Sequence, residues 1–247
     1  MSNSLTKHEL VLLKTAQEAP EIKSFYFEPA EGRFDYKPGQ VLSIILDPLR
    51  PAELAREFSI ASSPTEDFIL ISMRMLVGSK FKSYINCLSP GAKILAEGPY
   101  GDFTLPEDTS RPLLFIAGGI GVTPFRGMMK YVADMALPFT VTLLYSARTP
   151  EEILYKNDWQ TFRKTCKGFN AIFTITRPEE SSSKWEGRVG RIDQALIEES
   201  VENLSESVTY VCGTPEMVRS MMKILVGMGL PPQKLKVEPF SGYKGSD

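Results

Sequence analysis

The stretch Leu113-Leu114-Phe115-Ile116-Ala117-Gly118-Gly119-Ile120-Gly121-Val122-Thr123-Pro124-Phe125 constrains this chain more than any other. An apolar run without alternation reads as a strand buried on both faces, as in a parallel sheet. Glycines follow at once; they take positive φ readily and let backbone N–H groups come close to a ligand. Thr123 is placed to cap a helix, with Pro124 at the first helical position, where its missing N–H costs nothing. Strand, glycine turn and helix start together make an anion site, because free N–H donors and partial positive charge gather at a helix N-terminus. The match to the dinucleotide-binding fingerprint is partial. Gly119-x-Gly121 supplies the first two glycines, and Pro124 stands where the third belongs.

The chain on either side has two different rhythms. Short apolar or alternating runs at 10–13, 24–27, 40–46, 58–61, 68–75 and 93–96 are separated by Gly32, Pro38-Gly39, Pro48, Pro64, Gly78 and Pro90-Gly91. Such a series predicts strands and turns, hence a barrel or sandwich. One exception is 79–88, where Phe81, Tyr84, Ile85 and Leu88 share a helical face. Residues 105–112 are polar and proline-flanked, a linker by composition. Beyond it, strand-like 113–117, 140–145, 171–176 and 209–212 alternate with helical 125–135, 159–164, 192–200 and 215–228. That alternation is the pattern of βαβ units on a parallel sheet. The expected architecture is an antiparallel β-barrel over 1–108, then a Rossmann-like parallel α/β domain over 109–247.

Composition narrows the classes. The 247 residues are 43% hydrophobic and 23% charged, as in a soluble globular protein, and a formal charge of -2 gives no electrostatic case for nucleic acid or an anionic membrane. The apolar runs are too short to span a bilayer, so no transmembrane segment is expected. Residues 1–7 lack the basic and apolar regions of a signal peptide. Cys87, Cys166 and Cys212 are scattered and odd in number, which argues against a disulfide framework, a zinc site or an all-cysteine iron–sulfur cluster and points to a reducing cytoplasm. Cys87 and Cys166 read as packing residues. The only histidine, His8, reads as a surface bystander, and its isolation argues against a metal site or a histidine-dependent triad. The Met128-Met129 and Met221-Met222 pairs read as helix core.

Three further motifs carry chemistry. In Arg56-Glu57-Phe58-Ser59, at the start of an expected strand, an arginine fork and an aromatic face share one side and a hydroxyl follows. Gly98-Pro99-Tyr100-Gly101-Asp102-Phe103 closes the β half. Tyr210-Val211-Cys212-Gly213-Thr214-Pro215-Glu216-Met217 places a thiol at a strand's carboxyl end, where open α/β sheets bind ligands. With these in order, nearly the whole chain resembles the ferredoxin–NADP reductase superfamily of FAD-containing NAD(P)H oxidoreductases. Arg56 to Ser59 resembles its R-x-[YF]-S flavin motif, and Gly118 to Pro124 its G-G-x-G-x-T-P nucleotide motif. Cys212 to Met217 resembles C-G-x-x-x-M, and Val237-Glu238-Pro239-Phe240 the terminal acidic–aromatic segment.

The resemblance implies roles. Arg56 would pair with the FAD pyrophosphate, Phe58 would lie on the isoalloxazine, and Ser59 would hydrogen-bond near its reactive nitrogen. The helix after Gly78, through Lys80, Phe81, Lys82 and Ser83, would turn backbone N–H groups toward the same pyrophosphate, with charge added by Arg74. Gly118, Gly119, Gly121, Thr123 and Pro124 would form the nicotinamide nucleotide's pyrophosphate turn. Cys212 and Glu238 would flank the nicotinamide, within a motif that includes Gly213 and Met217. Phe240, with Tyr243, would cover the flavin's other face. Three positions depart from the family pattern. Phe58 replaces the commoner tyrosine. Lys82 stands where Ser or Thr is usual, so that Ser83 serves only with a register shift. Phe240 is followed by 241–247.

No carboxylate closes the second strand of the α/β half, where NAD enzymes commonly hold the adenosine ribose. Ser146, Arg148, Arg177 and Arg191 stand there or beyond instead, which leans the expectation from NADH toward NADPH, with Glu179-Glu180 offsetting the arginines. The resulting expectation is a reductase passing hydride from NAD(P)H to FAD, then electrons to a separate acceptor: ferredoxin, flavodoxin, a haem protein, an oxygenase component or a diffusible acceptor. Its rivals are a flavin reductase that uses free flavin as substrate, and a non-catalytic redox-sensing subunit.

Overall fold

The computed structural model describes residues 6–75 and 77–240. Tyr243 and the rest of 241–247 lie outside the described residues. The chain forms two compact units, one containing the described residues up to Leu105 together with Thr123–Tyr131, the other Pro106–Val122 with 132–240.

In the first unit, β1 (Lys7–Ala19), β2 (Ile22–Pro29), β3 (Val41–Ile45), β4 (Ala55–Ser59), β5 (Ile69–Arg74) and β6 (Lys93–Tyr100) form an antiparallel sheet. Its strand order is β4-β3-β6-β1-β2-β5. Period-two alternation turns Leu10 and Leu12, Phe25 and Phe27, Leu42 and Ile44, and Ile69, Ile71 and Met73 into one core. The sheet curls until its outer strands approach: just beyond β4, the Ala61 amide donates to the Leu70 carbonyl at 2.8 Å. Short α1 (Pro51–Leu54) and α2 (Lys80–Asn86) complete the unit, and α2 closes the core with Phe81 and Ile85. This is the expected barrel-like fold.

Two boundaries differ from the sequence reading. The flavin-like motif does not open its strand; it fills and ends β4, because the polar residues before Phe58 pair with β3 as Arg56↔Ile44 and Glu57↔Ser43. Strand β1 is longer than 10–13 because its polar positions alternate outward and a bulge lies between Leu12 and Lys14.

The second unit contains β7 (Leu113–Gly118), β8 (Val141–Ala147), β9 (Phe169–Ile175), β10 (Arg188–Val189), β11 (Val208–Gly213) and β12 (Leu235–Pro239). All are parallel, in the order β10-β9-β8-β7-β11-β12. The helices along the chain are α3 (Thr123–Asp134), α4 (Lys156–Thr165), α5 (Gln194–Ser200) and α6 (Pro215–Gly227). The apolar run is β7, and Leu114 and Ile116 join residues of α5 and α6 in a core on one face of the sheet. Its alternate residues Leu113, Phe115 and Ala117 are at most 1% exposed, which explains the absence of alternation in the sequence. Edge strands β10 and β12 have no apolar signature and escape a sequence reading. In β12, Lys236 and Glu238 interrupt the apolar positions.

Helix α3 belongs to both units: Thr123–Tyr131 group with the β unit although the sequence division assigns them to the α/β half. A 3-10 turn, Gly119–Val122, runs directly into it, so Thr123 is the first helical residue and not a cap. Met128 and Met129 are fully buried. His8 is half-buried, not a bystander: its ring stacks on Phe34 at 4.0 Å and its Nε2 lies 3.1 Å from the Gly98 carbonyl. Cys87 is exposed, contrary to its reading as a packing residue. No helix among the described residues is long and apolar enough to cross a membrane.

Candidate functional site

In the β unit, strand alternation brings Arg56 and Phe58 toward α2. The Arg56 guanidinium lies 5.9 Å from the centroid of the Phe81 ring, and Phe58 meets the same ring at 5.6 Å. Ser79 caps α2, accepting the Lys82 amide at 3.3 Å, so the register of this helix is fixed. Lys82 is half-buried whereas Ser83 is exposed. The Lys82 ammonium has its pKa lowered by burial first, then by the positive charges of Arg74 and Arg56. The charges of Arg56 on β4 and Arg74 on β5 therefore both act against that of Lys82 on α2, although Arg74 also pairs with Glu21. An anion at this point would relieve the repulsion. Lys80 is turned to Glu53 at 3.1 Å and is more exposed. Ser59, at the end of β4, is 4% exposed.

The strand order of the α/β sheet reverses at β7. The chain moves outward through β8 and β9, then returns to β11 on the other side, leaving a crevice at the carboxyl ends of β7 and β11. Gly118, Gly119 and Gly121 sit there with Cys212 and Gly213. The glycines have different tasks. A Cβ on Gly121 would come within 2.6 Å of the Cys212 carbonyl carbon and 2.7 Å of the Gly213 Cα, and one on Gly118 would strike the Met217 sulfur. Gly121 thus lets the turn lie tightly against β11, and Gly118 leaves room for Met217 of α6. Gly119 has φ +53° and open space where a Cβ would stand. The turn thus offers free room beside glycine backbone, which fits a nucleotide pyrophosphate. Across the crevice, Thr214 caps α6 by accepting the Met217 amide at 3.3 Å, with Pro215 following.

Strand pairing sets Cys212 beside Glu238, and the ladder continues with the Phe240 amide donating to the Gly213 carbonyl at 2.8 Å. Cys212 is fully buried, and burial, reinforced by the Glu238 carboxylate, pushes its thiol well above the ordinary range. The sulfur is thus a neutral thiol near neutral pH. In the native protein, Cys87 is expected to alkylate readily at about pH 8, with Cys212 at least ~100-fold slower until denaturant is added. Mass-spectrometric mapping of the labels checks this, and equal rates would contradict it.

The residues expected at the adenosine ribose gather at the ends of β8 and β9. Ser146 pairs with Gly118 on one side and Thr174 on the other. The Arg177 amide donates to the Arg148 carbonyl at 2.8 Å, so the two arginines leave the sheet side by side. Each already has a carboxylate. Arg148 gives Nε to Glu152 at 2.9 and 3.0 Å and Nη2 at 2.7 Å; Arg177 reaches Glu180 at 3.1 Å. Arg191 is exposed beyond β10. The sequence reading missed Glu152 as a partner of Arg148, because an i,i+4 spacing signals contact only once the turn between them is known.

These features define a two-unit dinucleotide-binding protein: a curled antiparallel sheet with a cationic cluster, and a parallel sheet with a glycine-lined switch point. The profile of the oxidoreductase NAD-binding domain matches residues 115–223. Ferredoxin–NADP reductase B of Sorangium cellulosum is 30% identical over 232 residues, which covers 90% of this chain and 93% of that protein. The glycine betaine monooxygenase reductase subunit of Chromohalobacter salexigens is 25% identical over 237 residues, 95% of this chain and 64% of its own length. The chain therefore spans less than two thirds of that relative. Among solved structures, the Amycolatopsis cytochrome P450 reductase GcoB superposes with a TM-score of 0.83 at 21% identity, covering 96% of this chain and 71% of that one. The chain belongs to the ferredoxin–NADP reductase superfamily.

Proposed function

We propose that this chain is an FAD-dependent reductase that takes hydride from NAD(P)H and delivers electrons to a separate acceptor. A ferredoxin, a flavodoxin, a haem protein or an oxygenase component would fit that role. The FAD domain would span 1–108 and the NAD(P)H domain 109–247. When bound, FAD supplies the conversion of a two-electron hydride into electrons that an acceptor can take one at a time. Arg56, Lys82 and Arg74 would hold its pyrophosphate, with Phe58 and Ser59 of β4 assigned to its ring. Gly118, Gly119 and Gly121 hold the nucleotide's pyrophosphate against the start of α3.

The observation that carries this reading is the pairing of Cys212 with Glu238 at the switch point of the parallel sheet, beside that glycine turn. Loss of hydride leaves positive charge on a nicotinamide ring, and the Glu238 carboxylate favours that charge where it develops. The neutral Cys212 thiol would place bulk and a weak dipole beside the ring. The nucleotide preference is read as NADPH from Ser146, Arg148 and Arg177, with Glu152 and Glu180 acting against it.

The test is purification followed by rapid mixing with NADH and NADPH in parallel. A yellow protein with stoichiometric FAD, bleached by nucleotide and turning over on ferricyanide, supports the reading. A colourless protein that reduces added FMN or riboflavin instead supports a flavin reductase, which the absence of a tyrosine hydroxyl at Phe58 favours. Flavin that does not bleach would rule out both. Arg56→Ala is expected to weaken FAD by about 30-fold, the loss of one charge-assisted contact. Flavin fluorescence titration measures it, and unchanged affinity would remove Arg56 from the site.

A further inference from the structure

We propose that Glu152 is a specificity-determining residue: by occupying Arg148, it limits how strongly this chain selects a 2′-phosphorylated nucleotide over an unphosphorylated one. The inference rests on the reading that the α/β unit binds a pyridine nucleotide, and it names the group that tunes the adenosine end of that site.

In a parallel sheet that holds pyrophosphate on the turn after β7, the adenosine ribose meets the carboxyl end of the neighbouring strand, here β8. An acidic residue there accepts from the ribose hydroxyls, and a basic one binds the 2′-phosphate. This chain places both at that position, bound to each other. Arg148 leaves β8 at its end, and Glu152 lies four residues later in a 3-10 turn, Pro150–Glu152. The carboxylate takes the Nε–Nη2 edge of the guanidinium, the same bidentate edge that a phosphate would use.

The pair differs from an ordinary surface ion pair in its burial and support. The Glu152 side chain is only 12% exposed, against 40% for Arg148. The turn that carries Glu152 is tied on both sides. Its neighbour Glu151 accepts the Ser181 hydroxyl at 2.9 and 3.1 Å and the Ser182 hydroxyl at 3.1 Å. The buried Tyr145 hydroxyl donates to the Glu152 carbonyl at 3.4 Å and accepts the Leu154 amide at 3.3 Å. The carboxylate is therefore presented to Arg148 from a fixed position. A 2′-phosphate must share the guanidinium with it or displace it, and like charges so close oppose both outcomes. An unphosphorylated ribose carries no charge and meets no such opposition.

Glu152→Gln keeps the shape and one acceptor and removes the charge. Calorimetric titration of wild type and E152Q with 5′-AMP and with adenosine 2′,5′-bisphosphate separates the possibilities. The variant is expected to bind the bisphosphate about tenfold more tightly, with 5′-AMP changed less than about twofold. The unchanged 5′-AMP affinity also reports that the site is folded. The gain is expected to vanish in Arg148→Ala/Glu152→Gln, which distinguishes release of Arg148 from a general loss of negative charge. An unchanged ratio of the two affinities in E152Q, with 5′-AMP binding intact, overturns the proposal alone. A gain that persists without Arg148 also overturns it. Absence of binding of either nucleotide to either protein overturns both the proposal and the nucleotide-site reading.

Discussion

Arg126→Ala is expected to destabilise the protein by about 3–5 kcal/mol, the cost of stranding one member of a buried ion pair. Arg126 and Glu66 are 8% and 10% exposed at their side chains. Arg126 donates to both carboxylate oxygens of Glu66, by Nη2 at 2.9 Å to one and by Nη1 to the other, and Nη1 also reaches the Ala61 carbonyl at 3.2 Å. The same carboxylate accepts the Ser63 amide at 2.8 Å, so the pair organises the loop between β4 and β5 beneath α3. The helix approaches so closely that a Cβ on Gly127 would come within 2.6 Å of the Ser62 carbonyl oxygen. Tyr36 completes the cluster through a 3.1 Å hydrogen bond to the Ser62 hydroxyl, and burial raises its phenol above its usual range. Removing the guanidinium leaves a buried carboxylate that keeps the Ser63 amide but loses its opposite charge and both guanidinium donors. Replacing both partners, as Arg126→Met/Glu66→Gln, removes the stranded charge and is expected to recover at least half of the loss. Urea melts of the wild type, the single variant and the double variant measure both numbers. A single variant within about 1 kcal/mol of wild type would show that the pair contributes no more than a surface bridge.

The second large effect is expected at Gly121. Its backbone has an ordinary φ, so the constraint is space and not conformation. Alanine would drive a methyl group into the backbone of Cys212 and Gly213, which β11 holds in the middle of the sheet between β7 and β12. A strand carbonyl cannot rotate aside, so the glycine turn must move instead, at roughly 3 kcal/mol of overpacking strain. The expected result for Gly121→Ala is a loss of at least ~100-fold in nucleotide affinity, because ~1 Å of displacement removes aligned N–H contacts. FAD content should stay unchanged. Gly118→Ala provides the contrast: its new methyl group meets the Met217 side chain, which can shift to another rotamer. That variant should lose about tenfold or less. Titration with 5′-AMP and a flavin absorbance ratio decide the comparison. Equal losses in the two variants would mean that contact with the β11 backbone is not what sets the turn.

The gap between Gly121 and Arg126 illustrates what a sequence can disclose. The glycines are legible because their neighbours along the chain explain them: an apolar strand before, a helix after, and a spacing that only a tight turn satisfies. Arg56 and Phe58 are legible for the same reason, since alternation alone puts them on one side of a strand. The Cys212 thiol at a strand end was visible too, together with Glu238 as a motif residue. None of these arguments reaches Arg126–Glu66, whose members stand 60 positions apart in unremarkable segments. Nor do they reveal that Lys82 rather than Ser83 joins Arg56 and Arg74, because that depends on where Ser79 starts the helix.

The sequence by itself determined the order of the two folds, the glycine turn and the flavin-like strand, because periodicity and turn chemistry are local. Only the tertiary structure decided three further matters. It paired Cys212 with Glu238 through the register of an edge strand without an apolar signature. It turned Thr123 from a cap into a helical residue by extending the turn before it. It also bound Arg148, a cation that the sequence offered freely to a phosphate, to Glu152. Those outcomes depend on which groups meet in space, where a carboxylate four residues away can offset a charge that the sequence alone counts as available.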